Sequence, residues 1–130
     1  YNHLLQKNIG NLSLLLYNLS DKYFKRRFSV KHIVLFKFEN NDCLEKVDRL
    51  VTETYDKLEK VHKVIEGYSF SINCLPEKEN NMDLVLFVDL TGPSSLSDYI
   101  DHPDHQEVLV KLKSLGLKDK AVIDINEQLL

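Results

Sequence analysis

Alternating apolar and polar residues predict β-strands in four separate parts of the chain. Residues 30–38 (VKHIVLFKF) and 68–75 (YSFSINCL) alternate and are rich in β-branched and aromatic side chains, which pack well on a pleated surface. Residues 82–90 (MDLVLFVDL) are more continuously apolar, as expected for a strand that is buried on both faces. Residues 121–125 (AVIDI) form the last short run of this kind. The pattern therefore predicts a sheet of four strands.

Helical spacing governs the segment between the first two strands. Its apolar residues recur every three or four positions with charged residues opposite, which predicts one long amphipathic helix. We expect this helix to end at Gly67, because glycine readily adopts the left-handed conformation of a helix C-cap. The apolar stripe consists of Leu44, Val47, Leu50, Val51, Leu58, Val61 and Ile65.

Two shorter helices are expected before the last strand. Ser95 and Asp98 match the S-x-x-D pattern of a capping box, so one helix should cover residues 95–101. Proline is tolerated in the first turn of a helix, and Pro103 therefore begins a second helix that runs to residue 114.

The order of these elements is βαββαβ when the two short helices are counted as one unit. This order is typical of an α+β fold of the ferredoxin-like type, the split βαβ, in which helices cover one face of an antiparallel sheet. The opposite face would present Val, Ile, Leu and Phe side chains that nothing else in the sequence covers, and such an apolar face marks an interface. We therefore expect a homodimer in which the two open sheet faces meet as a dimeric α+β barrel.

The first 29 residues form a different segment, predicted to be an N-terminal helical extension of a domain over residues 30–130. Its leucines and isoleucine recur at helical spacing, and we favour a helix that packs on the domain or on a partner subunit. A membrane-anchoring helix is the alternative. The basic KYFKRR that follows supports it, whereas Gly10 and four asparagines weaken it.

A further hypothesis is that this segment is not native. The codons AGG AGG can encode Arg26 and Arg27 and also form a bacterial ribosome-binding sequence, while Val30 can be encoded by the alternative start codon GTG. The protein would then begin at Val30. The gene sequence tests this hypothesis, because other arginine codons would exclude it.

Composition and charge narrow the function classes. With 130 residues, 43% hydrophobic and 28% charged, the chain is expected to form one ordinary globular domain. The net charge of −3 and the scattered basic residues argue against a nucleic-acid-binding protein. No apolar run approaches the roughly 20 residues that span a bilayer, so no membrane span is expected. Cys43 and Cys74 are far apart and are expected to be reduced thiols, which indicates a cytoplasmic protein.

Candidate chemistry is concentrated in residues 95–108, SLSDYIDHPDHQEV. The reference pKa of histidine, about 6.5, suits a general base near neutral pH, so His105 is a candidate for that role, and Tyr99 can donate a hydrogen bond to an enolate-like oxygen. The plainer interpretation is that Tyr99 packs between helix and sheet with its hydroxyl satisfied, while His105 bonds a backbone carbonyl. His32 lies on the first strand, where alternation places it on the face opposite Ile33.

A metal site in the same run is not expected. His102, His105, Asp101 and Asp104 are close in sequence, but a zinc site needs three or four ligands at defined spacing, which H-P-x-H does not supply. The position of His102 before Pro103 favours a structural role between two helices. The sequence has no glycine-rich phosphate loop and no nucleophile-elbow serine, and no cofactor is predicted.

Together these segments resemble the stress-responsive dimeric α/β-barrel family, the Dabb domains. The segments that carry the resemblance are VKHIVLFKF, MDLVLFVDL, SLSDYIDHPDH and AVIDI, which are spread over residues 30–125. The resemblance implies a dimeric barrel with a pocket between sheet and helices, in which His32, Tyr99 and His105 bind the ligand.

Plant polyketide cyclases of this family close a linear polyketide by aldol condensation without a cofactor. The resemblance to them implies that Tyr99 and His105 are catalytic and that His32 is the strand histidine. These cyclases carry a histidine at the start of the third strand, where this chain has Asp83 in NNMDLV. That departure argues against a polyketide substrate.

Three hypotheses about function follow from this pattern. The first is a dimeric barrel that binds a small hydrophobic or aromatic molecule. The second is a cofactor-independent enzyme, polyketide-cyclase-like or monooxygenase-like, with His105 as base and Tyr99 as donor. The third is a structural, stress-associated protein whose interior is filled by side chains. An open, mostly apolar pocket that reaches Tyr99 and His105 would favour the first two.

Overall fold

A computed structural model describes residues 29–127 of the chain. Its elements are β1 (Ser29–Phe38), a 3-10 turn (Asn41–Cys43), α1 (Leu44–Lys60), β2 (Gly67–Ile72), β3 (Leu84–Leu90), α2 (Pro93–Ile100), α3 (Pro103–Ser114) and β4 (Leu117–Glu127). The strands form one antiparallel sheet in the order β2-β3-β1-β4. This is the strand order of the ferredoxin-like split βαβ, so the predicted α+β fold class is confirmed.

Strand alternation places the core on the helix side of the sheet. Every second residue of β1 and of β3 is buried, and the residues between them are half-buried or exposed. The buried strand residues are Val30, His32, Val34, Phe36 and Phe38 in β1, and Leu84, Leu86, Val88 and Leu90 in β3. One face of the sheet therefore forms the floor on which the helices pack.

The helix α1 places most of its predicted apolar stripe on this floor, but Val61 follows the helix and is 68% exposed. Val47, Val51 and Leu58 are buried along the stripe, and so is Tyr55. Val108 of α3 belongs to the same core. Burial of one such aliphatic side chain contributes about 1.5–3 kcal/mol, so the contact between helices and sheet accounts for most of the hydrophobic stabilisation.

The other face of the sheet is apolar, and no described residue covers it. The cross-strand register aligns Ile33 of β1 with Phe87 of β3 and with Ile123 of β4. Ile123 and Ile125 are 58% and 42% exposed. We call this surface the open sheet face, and its apolar members are Ile33, Leu35, Val85, Phe87, Ala121, Ile123 and Ile125. The apolar face predicted from the alternation is present.

The predicted end of the long helix is wrong. The helix α1 ends at Lys60, and Gly67 begins β2 instead of capping the helix. The chain leaves the helical path through a connecting segment in which Lys63 has a left-handed φ of 55°. Ile65 is nevertheless buried in the core from this segment. Ile65 belongs to a loop, but it is buried and continues the helical spacing in the sequence, so the pattern predicted an additional turn of helix.

The predicted capping box is also wrong. The helix α2 begins at Pro93 with Gly92 in the N-cap position, and no described side chain caps it. The Ser95 hydroxyl hydrogen-bonds the Thr91 hydroxyl instead. The third helix does begin at Pro103, as predicted.

The strands differ from their predicted bounds in length only. The second strand ends at Ile72, and the last one, β4, runs over Leu117–Glu127. It begins after Gly116, whose φ of 104° lies in the left-handed region that glycine adopts without strain. This turn reverses the chain so that β4 pairs along the whole of β1.

The expectations for the N-terminal segment, a packed helix or a membrane anchor, concern residues that lie outside those described. The hypothesis that the protein begins at Val30 stays a prediction. Within residues 29–127, no helix has the length and apolar character needed to cross a membrane.

Candidate functional site

A cavity of about 270 Å³ lies between the helix side of the sheet and the three helices. Most of its wall consists of aliphatic and aromatic side chains from both layers. Its polar lining residues are His32, Tyr55, Tyr99, His105, Lys120 and Asp124. An apolar space with a few convergent polar groups is the usual composition of a small-molecule site.

The first polar pair of the cavity, His32 and Asp124, is brought together by the pairing of β1 with β4. His32 of β1 stands directly opposite Asp124 of β4, and alternation turns both side chains toward the helices and away from the face of Ile33. The Nδ1 atom of His32 lies 2.5 Å from Oδ1 of Asp124, and His32 is buried. Because a carboxylate accepts the proton on Nδ1, this contact fixes the orientation of the ring and leaves Nε2 for other partners.

Two tyrosine hydroxyls meet beside this pair. Tyr99, in the last turn of α2, is fully buried, and its hydroxyl lies 2.5 Å from that of Tyr55 on α1. Burial raises the pKa of Tyr55 to about 12, although the hydrogen bond with Tyr99 lowers it in part. Burial also raises the pKa of Tyr99, and the neighbouring Tyr55 and the charge of Asp124 raise it further. Both phenols therefore remain protonated at neutral pH. One O–H donates to the other hydroxyl, and the second O–H is left to donate to a further partner.

His105 stands in the first turn of α3, next to Tyr99. Its Nδ1 donates to the carbonyl oxygen of Ile100 at 2.9 Å, which leaves the free lone pair of the ring on Nε2. Burial lowers the pKa of His105; the bond to Ile100 opposes this effect, and the nearby His32 and Lys120 lower the pKa further. The imidazole is therefore neutral at neutral pH, which is the protonation state that a general base requires.

The three site residues proposed from the sequence all line this cavity. The ring centroids of Tyr99 and His105 are 4.5 Å apart, and those of Tyr99 and His32 are 5.6 Å apart. The contacts of the plainer interpretation are also present. The Tyr99 hydroxyl is hydrogen-bonded to Tyr55, and His105 bonds the backbone carbonyl of Ile100. These bonds hold the side chains in place, and among the described residues they leave Nε2 of His105 without a partner.

The hydrogen bond between Tyr55 and Tyr99 predicts a non-additive effect on stability. Tyr55→Phe or Tyr99→Phe leaves the other buried hydroxyl unpaired, and each is expected to lower the free energy of unfolding by about 1–3 kcal/mol. The double variant is expected to lose less than the sum, because no unpaired hydroxyl remains. Urea unfolding at one fixed protein concentration measures these free energies. Additive losses would show that the two hydroxyls do not depend on each other.

Two further histidines lie outside the cavity. His102 is the N-cap of α3, and its Nδ1 accepts from the backbone N–H of Asp104 at 3.1 Å, so the structural role predicted for it is confirmed. His62 bonds the Asp104 carboxylate at 2.9 Å and contacts the ring of His102. Within residues 29–127, no three His, Cys, Asp or Glu side chains converge as metal ligands.

Asp83 has a structural position near the other end of the sheet. It is buried, and its carboxylate accepts from the backbone N–H of Phe38 at 2.8 Å and lies 3.6 Å from Nζ of Lys37. These contacts tie the start of β3 to the end of β1. Because Asp83 does not line the cavity, it contributes no group to the candidate site.

Three polar residues of the cavity are not singled out by the sequence analysis. Tyr55 is not in the predicted apolar stripe, although it stands between Val51 and Leu58 at helical spacing, and that spacing could have identified it. Lys120 and Asp124 lie on β4, on the same face as each other. Lys120 lay outside the predicted last strand, residues 121–125, and only the register of β4 with β1 brings both residues to the cavity.

Comparison with known proteins matches the family model of the stress responsive A/B barrel domain (Dabb) to residues 30–127. A solved dimeric protein of unknown function and ferredoxin-like fold from Bacteroides fragilis is 22% identical, with a TM-score of 0.62 over 78% of this chain and 98% of its own. A dimeric ferredoxin-like protein of unknown function from Thermobifida fusca is 25% identical, with a TM-score of 0.61 over 76% and 91% of the two chains.

A hydroxynitrile lyase from Passiflora edulis also has a similar structure. It is 14% identical, with a TM-score of 0.60 over 78% of this chain and 97% of its own. At that identity the likeness extends to the fold alone. No protein with curated function matches the sequence.

Proposed function

The chain belongs to the stress-responsive A/B barrel domain family, and we propose that it binds a small hydrophobic or aromatic molecule in the cavity between sheet and helices. The observation that carries the proposal is the cavity itself, an apolar space of about 270 Å³ that reaches Tyr99 and His105. This volume lies near the lower end of the range for small-molecule sites, about 300–1,000 Å³, so the proposed ligand is a compact one. A purely structural protein would be expected to fill this space with side chains.

Acid–base catalysis without a cofactor is the second candidate function, and the geometry of His105 favours it. Its Nδ1 is held by the Ile100 carbonyl, so Nε2 can remove a proton from a carbon next to a carbonyl group of the ligand. The electron pair of the broken C–H bond then moves onto the carbonyl oxygen as an enolate. Tyr99 supports this step when Tyr55 is the donor in the bond between the two hydroxyls, because the proton of Tyr99 can then bind that oxygen. Return of the proton from His105 to carbon, or attack of the enolate on a second carbonyl, completes the step.

The His32–Asp124 pair supports the same chemistry. Asp124 holds one ring nitrogen of His32 at 2.5 Å, and a histidine oriented by a carboxylate is a common arrangement for proton transfer. The cavity therefore offers two oriented imidazoles whose rings both lie next to that of Tyr99, one from the sheet and one from α3. This arrangement supports a reaction in which one group takes a proton while another gives one.

We also propose a homodimer that joins two open sheet faces. The exposed Ile123 and Ile125 support it, as do the similar bacterial proteins, which are described as dimeric. The cytoplasm remains the proposed location, because Cys43 and Cys74 are free thiols of the kind that reducing compartments preserve.

Binding of the neutral fluorescent probe N-phenylnaphthylamine tests the cavity as the binding site. Val122 lines the cavity from β4 and is 48% exposed, so Val122→Trp is expected to fill the space without disturbing the core. We expect it to weaken probe binding at least about tenfold, the effect of losing roughly 1.4 kcal/mol of binding free energy. The fluorescence of the probe on titration measures this.

A matched control is Val110→Trp, because Val110 is 66% exposed on α3 and lies outside the cavity. It is expected to bind the probe as the unmodified protein does. Equal binding by both tryptophan variants would place the site elsewhere. Absence of binding by the unmodified protein would favour the structural hypothesis instead.

A further inference from the structure

One lysine side chain lines the mostly apolar wall of the cavity. Lys120 lies opposite Phe36 in the pairing of β4 with β1, so its side chain is on the helix side of the sheet, with Val122 and Asp124. It lines the cavity together with His105, and its charge is one of the influences that lower the pKa of that histidine. A lysine at this position therefore contributes a positive charge to the binding site.

No described residue neutralises this charge directly. The acidic side chain on the same face, Asp124, is held by His32, and among the described residues Lys120 forms no salt bridge or hydrogen bond. Lysine is a mobile point charge with three donors and no acceptor. A negatively charged group of a ligand can therefore bind Lys120 without first breaking an existing ion pair.

A second depression extends the positive charge beyond the cavity. It has a volume of about 280 Å³ and shares Leu109 and Lys120 with the cavity. Lys113 and Lys118 line it as well, against the single acidic residue Asp119. The two spaces thus meet at Lys120, with apolar walls on one side and a predominance of lysines on the other. A ligand that spans this point would be apolar at one end and anionic at the other.

From this arrangement we infer that the ligand of the cavity is an amphipathic organic acid whose carboxylate binds Lys120. The inference rests on the proposed small-molecule function and names the chemical class of the ligand. The apolar body of the acid lies among the aliphatic walls, within reach of Tyr99 and His105. The carboxylate lies at the junction of the two spaces, where solvent reaches it and the lysines of the depression add to the attraction.

A matched pair of probes tests the inference, para-butylbenzoate and the neutral para-butylbenzyl alcohol. Both are titrated into isotope-labelled protein, and the dissociation constants are measured from the NMR shifts of backbone amides around the cavity. We expect the acid to bind at least about threefold more tightly than the alcohol, as for an ion pair that is open to solvent. This preference should shrink as salt shortens the screening length from about 10 Å to about 3 Å.

Two variants assign the preference to Lys120. Lys120→Met keeps a long side chain without its charge and is expected to remove most of the preference by weakening the acid alone, because only the other lysines of the depression then remain. Lys120→Arg keeps the charge and is expected to retain the preference. If the acid and the alcohol bind the unmodified protein equally, or if Lys120→Met keeps the preference, the inference is wrong and the apolar binding site stands. If neither probe shifts the cavity amides, the proposed function fails and this inference fails with it.

Discussion

Replacement of His105 by glutamine is expected to slow proton abstraction from a bound carbonyl compound by about 10²–10⁴-fold, the usual contribution of a positioned general base. Glutamine can still donate an N–H to the Ile100 carbonyl that His105 now binds, but it has no basic nitrogen. Exchange of the α-protons of para-butylacetophenone in heavy water, followed by NMR, measures the rate. Binding of the same compound is expected to change little.

The pH dependence of this exchange follows from the direction of the pKa shift. Burial lowers the pKa of His105 below the ordinary value of 6.5, and only the neutral imidazole can accept a proton. The rate should therefore fall to half of its maximum only at a pH below 6.5, where half of the His105 rings are protonated. In His105→Gln this acid limb should disappear together with most of the rate.

A matched control is His62→Gln, which removes an imidazole that lies outside the cavity, where it binds Asp104. It is expected to exchange the probe as fast as the unmodified protein. Equal exchange by His105→Gln and the unmodified protein would contradict the acid–base function and would leave the binding function in place.

Ile123→Asp is expected to dissociate the homodimer. Ile123 lies on the open sheet face and is 58% exposed in the single chain, so the change should leave the fold of the protomer intact. In a symmetric interface every substitution occurs twice. Each copy would lose the burial of an isoleucine, about 1.5–3 kcal/mol, and would add the desolvation of a carboxylate, several kcal/mol more. The dissociation constant should therefore rise by more than about 10³-fold.

Sedimentation equilibrium over a range of protein concentrations measures the constant. Val110→Asp is the matched control, because Val110 is as exposed as Ile123 but lies on the outer side of α3. It should leave the dimer unchanged. A dimer that persists in Ile123→Asp would show that the chains associate through another surface.

The strands illustrate how far periodicity alone leads. Alternation predicted β1 almost to the residue, because a strand that is buried on one face must alternate along its whole length. Helical spacing was a poorer guide, because it predicted that α1 ends at Gly67, whereas the helix ends at Lys60. Ile65 continues the helical spacing from a loop, and local periodicity cannot distinguish a loop residue that folds back to the core from a further turn of helix.

The sequence by itself determined the order and type of the elements, the two faces of the sheet, and His32, Tyr99 and His105 as candidate residues. The elements and the faces follow from local patterns, whereas the candidate residues follow from residue chemistry together with the resemblance to the family. Only the tertiary structure decided which groups meet. His32 pairs with Asp124 across 92 residues of sequence, and Tyr55 pairs with Tyr99 across 44. Such contacts depend on the register of strands and on the packing of helices, which are set by the burial of the whole core and by no single segment.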